Sequence, residues 1–241
     1  MRVATIFLLS LATIDGFSAE PKPQKGPERV IVTFGDSTTA VRAGTQVYTV
    51  LLQEALEKSH RLVNSGIGGS TTEHGRKRFE TDVLAHSPEV VVIQFGINDS
   101  FHDNHINPPR DKPRVPLARY VENLSYFIDE LSKKKCRVIL MTPNSMRWTE
   151  NLKKVHGKHP YNPDDAGGLN ATIKPYVEAV RKLAAEKKVD LIDVYAEYEK
   201  HAKAQGSTND LLPDGMHPND KGHRLVADKL LELLAKSEKK K

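Results

Sequence analysis

Arg29-Val30-Ile31-Val32-Thr33-Phe34-Gly35-Asp36-Ser37 is the stretch on which the reading of the fold turns. Its first six residues are apolar or β-branched apart from Arg29, show no polar alternation, and end at Gly-Asp-Ser. A short run of this kind, closed by a turn residue, is a strand buried on both faces. The pattern recurs at Arg61–Asn64, Glu89–Phe95, Arg137–Met141 and Val189–Val194. Between these runs the apolar period becomes helical: Val47, Leu51, Leu52 and Leu56; then Leu117, Tyr120, Val121, Leu124, Phe127, Ile128 and Leu131. A third helix is expected over about 170–187, with Ile173, Tyr176, Val177, Val180 and Leu183 on one face. A last one starts near Asp220 and carries Leu225, Val226, Leu230, Leu233 and Leu234. Five strands alternating with helices predict an α/β fold, a five-stranded parallel sheet covered on both faces in a three-layer α/β/α sandwich.

The 241 residues fit one large domain. With 38% apolar and 28% charged residues and a mean hydropathy of −0.50, the composition is that of a soluble globular protein. A single cysteine, Cys136, excludes an internal disulfide and a cysteine metal cluster; leading into a strand, it is expected to be buried and inert. The net charge of +5 owes much to Lys236, Lys239, Lys240 and Lys241. No basic stripe interleaves with aromatics, so nucleic acid is not an expected partner. The first residues have the form of a signal peptide: Arg2, an apolar run over 3–14, then Gly16, Ser18 and Ala19, with cleavage expected near Ser18 or Ala19. The predicted organisation is a leader over 1–19, a Pro/Lys/Glu linker over 20–28, the folded domain over 29–236 and a basic tail over 237–241. The expected location is therefore outside the cytoplasm, with no membrane span after processing.

In open parallel sheets ligands bind beyond the carboxyl ends of the strands. Three segments fall there, and a fourth lies on the approach to the last helix. After the first strand, Ser37 is a hydroxyl at a strand-to-helix turn; it could equally be a helix N-cap. After the second, Gly66-Ile67-Gly68-Gly69 allows close backbone approach and outward N–H groups, or merely a turn. After the third, Asn98 in Gly96-Ile97-Asn98-Asp99 offers a neutral donor suited to a developing oxyanion, or an Asx turn. Near the C-terminus, Asp214 stands three residues before His217 and can hold its Nδ1–H, freeing Nε2 as a base. Together they form a full set for acyl transfer to a serine: nucleophile, oxyanion donors, base and orienting carboxylate.

These residues carry a resemblance. The chain resembles the SGNH hydrolases of the GDSL esterase/lipase superfamily, in Gly35-Asp36-Ser37, the glycine block, Gly96-x-Asn98-Asp99 and Asp214-x-x-His217, over nearly all of the chain from Val30 to about Leu234. Thr38 stands where the family name has Leu. The resemblance implies a flavodoxin-like sandwich, Ser37 as nucleophile, His217 as base and Asp214 as its partner. It implies an oxyanion hole of the Ser37 and Gly69 N–H groups and the Asn98 amide, with Gly68 the alternative glycine. It needs no cofactor and no metal. No Gly-x-Ser-x-Gly is present, which argues against the other common serine-esterase turn.

Further residues are expected at the rim. Asp36, Thr38, Arg42 and Trp148 are possible substrate contacts; Trp148 lies in a polar stretch with Asn144, Arg147, His159 and Tyr161, suited to a sugar ring or to loop packing. His102 and His105 lack a full metal-ligand set and read as polar loop residues. Asn98, Asn123 and Asn170 match the glycosylation tripeptide. Two long connections, 99–116 and 143–168, are of the length that builds or covers a site. Polar loops and export favour a small acyl group, acetyl on a carbohydrate, as the substrate. The alternatives are a lipid-type acyl ester, and a non-catalytic sugar- or anion-binding protein.

Overall fold

The computed structural model describes residues 29–238. The expected leader and linker, and the end of the expected basic tail, lie outside the described residues. Five strands form one parallel sheet: β1 (Val30–Gly35), β2 (Arg61–Gly66), β3 (Val90–Gln94), β4 (Arg137–Met141) and β5 (Asp190–Ile192), in the spatial order β2-β1-β3-β4-β5. Each expected strand is present, and β4 has the expected bounds.

Side chains alternate across the sheet. Val30, Val32, Phe34, Val91, Ile93, Val138 and Leu140 point to one face; Ile31, Val90, Val92, Ile139 and Met141 point to the other. Both sets are buried, so neither face could tolerate a polar period, which is why these strands read as continuous apolar runs. The first face is covered by α2 (Thr72–Asp82), α4 (Leu117–Lys133) and α6 (Lys174–Lys187). On α4, Tyr120, Leu124, Phe127, Ile128 and Leu131 line the buried stripe; each such side chain contributes roughly 1.5–3 kcal/mol of burial. The second face is covered by α1 (Tyr48–Leu56), α7 (Val194–Gln205) and α8 (Asp220–Glu238).

Five helices depart from expectation. In α2 only Phe79 is a buried large apolar side chain. The helix is set instead by a reciprocal cap, in which the Thr71 hydroxyl accepts from the His74 N–H and His74 Nδ1 accepts from the Thr71 N–H. It is also set by Gly75, where a Cβ would come within 3.1–3.4 Å of the Phe95, Phe34 and Phe127 rings. A polar, glycine-bearing segment thus packs against an aromatic cluster without an apolar stripe. The helix α7 begins at Val194, which had been expected to end a strand; the Asp193 carboxylate caps it through the Ala196 N–H at 3.1 Å. A short α5 (Glu150–His156) lies inside the second long connection. The expected third helix starts four residues late, at Lys174, and α8 runs two residues into the expected tail.

A satellite core of Ile97, Phe101, Met146, Leu152, Tyr161, Leu169, Ile173, Val177 and Tyr195 ties the two long connections together at the carboxyl end of the sheet. The sheet order reverses between β1 and β3, and in such sheets the crevice beyond those two strand ends is the binding position. Ser37 follows β1, and Asn98 follows β3 in the one-turn helix α3 (Ile97–Ser100).

Candidate active site

The turn after β1 is built from its own residues. Asp36 is 1% exposed and turned inward. Its Oδ1 accepts the Thr38 N–H at 2.9 Å and lies 2.8 Å from the Thr38 hydroxyl, which also reaches Gln94 Oε1 at 3.1 Å. The Asp36 carbonyl accepts from the Thr39 and Ala40 N–H groups. Gly66, at the end of β2, lets that strand abut this turn: a Cβ there would lie 2.3 Å from Ala40 N. Arg78 of α2 secures the ends of both strands, donating to Gly35 O (2.9 Å) and Ser65 O (2.7 Å). The result is a rigid support that leaves Ser37 half-buried at the rim.

His217 approaches from the turn before α8. Its Nε2 lies 3.0 Å from Ser37 Oγ, and its Nδ1 lies 2.8 Å from Asp214 Oδ2. The other oxygen of Asp214 accepts the main-chain N–H of His217 (2.7 Å) and Met216 (2.9 Å). Partial burial works to raise the Asp214 pKa, but the bonds from His217 and Met216 outweigh it and hold the carboxyl well below the usual carboxylate range. This turn is fastened from outside: Arg147 donates to Leu212 O and Pro213 O, both at 2.9 Å, Asn144 to Met216 O at 3.1 Å, and Arg42 to Pro218 O. In the first turns of α8, His223 is 1% exposed; burial, then Arg42, push its imidazole down to about 4.

Three donors meet no protein acceptor at hydrogen-bond distance. The Ile67–Ser70 turn closes through Ser70 N–H to Ile67 O at 3.2 Å, with Gly69 at φ +73°, where a glycine is favoured. Among the described residues neither the Gly69 nor the Ser37 main-chain N–H donates to the protein. The Asn98 Nδ2 is buried with no partner at hydrogen-bond distance, though it lies near enough to Asp36 to help lower that carboxyl, while its Oδ1 accepts from Arg114 at 3.1 Å. Buried donors are rarely left unpaired, and an exception of this kind is characteristic of a site awaiting a ligand oxygen.

Asp99 joins two of these donors. It is fully buried, and its Oδ1 accepts the Thr72 N–H (2.8 Å) and the Thr72 hydroxyl at the start of α2. The Asn98 turn and the Gly69 turn are thereby clipped together. Burial pushes the Asp99 carboxyl up to about 7, opposed by the Thr72 bonds and reinforced by Asp36. Between the ordinary carboxylate range and about 7, the folded protein binds a proton at Asp99 that the unfolded chain does not. Stability contributed by this group therefore falls as pH rises through that window. For Asp99→Asn, the Tm difference from the parent is expected to grow more favourable by several degrees from pH 4 to pH 8. A flat difference in a thermal-melt series would show that Asp99 titrates normally.

Ser37, Asn98, Asp214 and His217 are thus brought to one rim with the glycine turn. The expected substrate contacts are not all there. Asp36 and Thr38 are buried and bonded to each other, because the turn that presents Ser37 needs an internal acceptor. Arg42 donates to Pro218 O, which makes it an anchor for the turn before α8, and its Nε is buried without a hydrogen-bond partner. Trp148 is half-buried, and its indole N–H lies 3.2 Å from Asn162 O and 3.0 Å from Asp165 O, a loop-packing role. His102 donates its main-chain N–H to the Tyr161 hydroxyl, and His105 packs against the His156 ring at 4.9 Å. Asn123 and Asn170 are buried and hydrogen-bonded, so neither presents an amide for glycosylation. Cys136 is buried, and burial pushes its thiol up to about 12. Arg114, Asp99 and Asn144 were not singled out from the sequence for the roles they have here; no spacing rule announces a contact across a long loop.

The profile of the GDSL-like Lipase/Acylhydrolase family matches residues 33–225. The chain is 31% identical to the lipoprotein YqeF of Bacillus subtilis over 218 residues, covering 81% of this chain and 85% of that protein. It is 28% identical to an acetylxylan esterase of Geobacillus stearothermophilus, covering 78% and 79% of the two chains. Among solved structures, the acetyl xylan esterase AlAXEase superposes with a TM-score of 0.65 at 28% identity, over 85% of this chain and 98% of that one.

Proposed function

The chain belongs to the GDSL-like lipase/acylhydrolase family and is a carboxylic ester hydrolase; from that premise we propose that it is an exported serine esterase that removes short acyl groups, acetyl above all, from carbohydrates. The observation that carries the mechanism is the Ser37–His217–Asp214 relay, at 3.0 Å and 2.8 Å, beside the unpartnered Asn98 amide.

In this reading His217 Nε2 takes the Ser37 proton as Oγ attacks the ester carbonyl. The carbonyl oxygen gains negative charge and is held by the Ser37 and Gly69 N–H groups and the Asn98 amide. The tetrahedral intermediate collapses, His217 returns the proton to the leaving alcohol, and an acyl-enzyme remains. Water then repeats the sequence, His217 again acting first as base and then as acid, and the carboxylic acid leaves. Asp214 keeps the imidazole in the tautomer with a proton on Nδ1. No step calls for a metal or an organic cofactor.

Two observations support a small acyl group. Among the described residues the exposed large apolar side chains in the segments that follow the site strands are Val41 (71%), Ile67 (48%), Ile106 (38%) and Val155 (36%), one in each connection, which is little surface to bury a long chain at about 0.8 kcal/mol per methylene. The second is the likeness to two acetylxylan esterases. Export is supported by the form of the first 19 residues and by the likeness to a lipoprotein. Among the described residues no helix is long and apolar enough to cross a membrane.

The test is a chain-length series of p-nitrophenyl acetate, butyrate and octanoate, followed by acetylated xylo-oligosaccharides. The kcat/KM is expected to fall at least tenfold from acetyl to octanoyl. A rise along the series would replace the carbohydrate reading with a lipid-directed one.

A further inference from the structure

Asn98 has a single productive orientation. Its planar amide presents N–H donors on one side and a carbonyl acceptor on the other, and a 180° flip would aim the acceptor at an oxyanion. Main-chain geometry alone does not choose between the two. Asp36 lies near the amide and favours N–H on its side, and the carbonyl side is fixed by Arg114, sixteen positions along the chain at the end of the first long loop. Its Nη1 donates to Asn98 Oδ1 at 3.1 Å, and a guanidinium, which can only donate, accepts no amide N–H in that place.

Arg114 is itself held on several sides. Its Nε and Nη2 donate to Asp103 Oδ1 at 3.0 and 2.7 Å, and its guanidinium lies 5.4 Å from the Phe101 ring centre. Its main-chain N–H donates to Phe101 O, and the next N–H, of Val115, donates to Asp99 O, both at 3.0 Å. Asp103 is nearly buried; the Arg114 hydrogen bonds hold its carboxyl below the usual range against the burial. Arg110, 3.7 Å from the same carboxylate, leaves the trio with one net positive charge. The Arg114 guanidinium is the cation that meets the Asn98 carbonyl, and a charged donor there polarises the amide and strengthens its N–H as a donor. The rest of the Asn98 turn is supported by Asp99, so Arg114 is not needed to hold the backbone.

We propose that Arg114, fixed by Asp103, is a positioning residue that orients and polarises the Asn98 amide for oxyanion binding. The proposal rests on the serine-esterase reading of the site. Arg114 touches no reacting atom; it acts through Asn98.

The experiment is a double-mutant cycle on p-nitrophenyl acetate hydrolysis, with kcat expressed per serine titrated by a p-nitrophenyl phosphonate and folding checked by thermal melts. Asn98→Ala is expected to lower kcat by about 10²–10³. Arg114→Ala is expected to lower it by roughly 10–50-fold with KM within about twofold, since orientation and polarisation are only part of what Asn98 supplies. Combining the two is expected to be no worse than Asn98→Ala alone. Guanidinium ion at about 50 mM is expected to restore several-fold activity to Arg114→Ala and none to the double variant, a rescue that a general packing role would not show.

If Asn98→Ala keeps the parental rate, the oxyanion reading itself fails. If Asn98→Ala loses activity but Arg114→Ala does not, or the two losses multiply, the positioning role is wrong. Should Arg114→Ala melt early, Arg114→Lys keeps the charge but cannot reach Asp103 and Asn98 together. It is expected to show the same kcat loss at parental Tm, and full activity in that variant would overturn the proposal.

Discussion

Ser37→Ala is expected to lower kcat/KM for p-nitrophenyl acetate by roughly 10⁴–10⁶ while leaving the fold intact. The turn that presents Ser37 is held by Asp36, Thr38, Thr39 and Ala40, and the Ser37 hydroxyl takes no part in it. Its recorded partner is His217 Nε2 at 3.0 Å. Alanine therefore removes the attacking atom and little else, and the change in stability should stay within about 0.5 kcal/mol. The main-chain N–H of residue 37 survives the substitution, as do Gly69 and Asn98, so substrate is still bound and polarised. The residual rate should be that of water attacking within the hole, not zero. Steady-state assays with the parent and variant purified side by side decide it. A variant within about a hundredfold of the parent would mean that another group carries the attack.

Asp214→Asn is the second large effect, expected at about 10²–10⁴ in kcat. The substitution is close to isosteric, and the amide oxygen can still accept the His217 and Met216 N–H groups at 2.7 and 2.9 Å. The new amide N–H₂ then faces His217 Nδ1, where Asp214 Oδ2 stood at 2.8 Å. Nδ1 must become an acceptor, the proton moves to Nε2, and the imidazole meets the Ser37 hydroxyl as a donor when a base is needed. Because the Asp214 side chain is half exposed, water can share its place, so the loss should fall short of that for Ser37→Ala. The sign of the pH effect follows from the depressed pKa. The stability contributed by Asp214 is present above the unfolded carboxylate pKa and is lost only as pH falls below it. The acid limb of the parent's activity near neutrality is therefore not expected to report Asp214. Near-parental turnover by Asp214→Asn would assign the orienting role elsewhere.

What could be read in advance divides by cause. The central strands were legible because both their faces are buried, which leaves continuous apolar runs at 138–141 and at 90–93. The long helix at 117–133 was legible for its apolar stripe. The helix at 72–82 was not, since its place is set by a cap between Thr71 and His74 and by the close approach of Gly75 to three aromatic rings. At the site, the residues that project beyond strand ends could be singled out by position alone. Their supports could not. Asp36 and Thr38 looked like rim residues until the turn showed them bonded to each other. Arg42 looked like an anion contact and is an anchor for the carbonyl of Pro218. Arg114 had no visible partner, because it stands sixteen positions from Asn98, at the other end of the first long connection. Position along the chain predicts which atoms reach a rim; it does not predict what holds them there.

The hydrogen bond between Ser37 and His217 joins residues 180 positions apart, from the strand at 30–35 to the turn before the last helix. Closing so long a span costs more chain entropy than closing a short one, and is expected to follow the local pairings. A chain with its sheet complete but α8 not yet seated therefore holds a serine without its base. Synthesis from the N-terminus presents Ser37 long before His217 exists, so the nascent protein passes through its maturation chemically silent. Recovery of turnover in a refolding experiment is accordingly a clock for one event, the seating of the C-terminal turn, and it should lag the return of helical signal from the rest of the molecule.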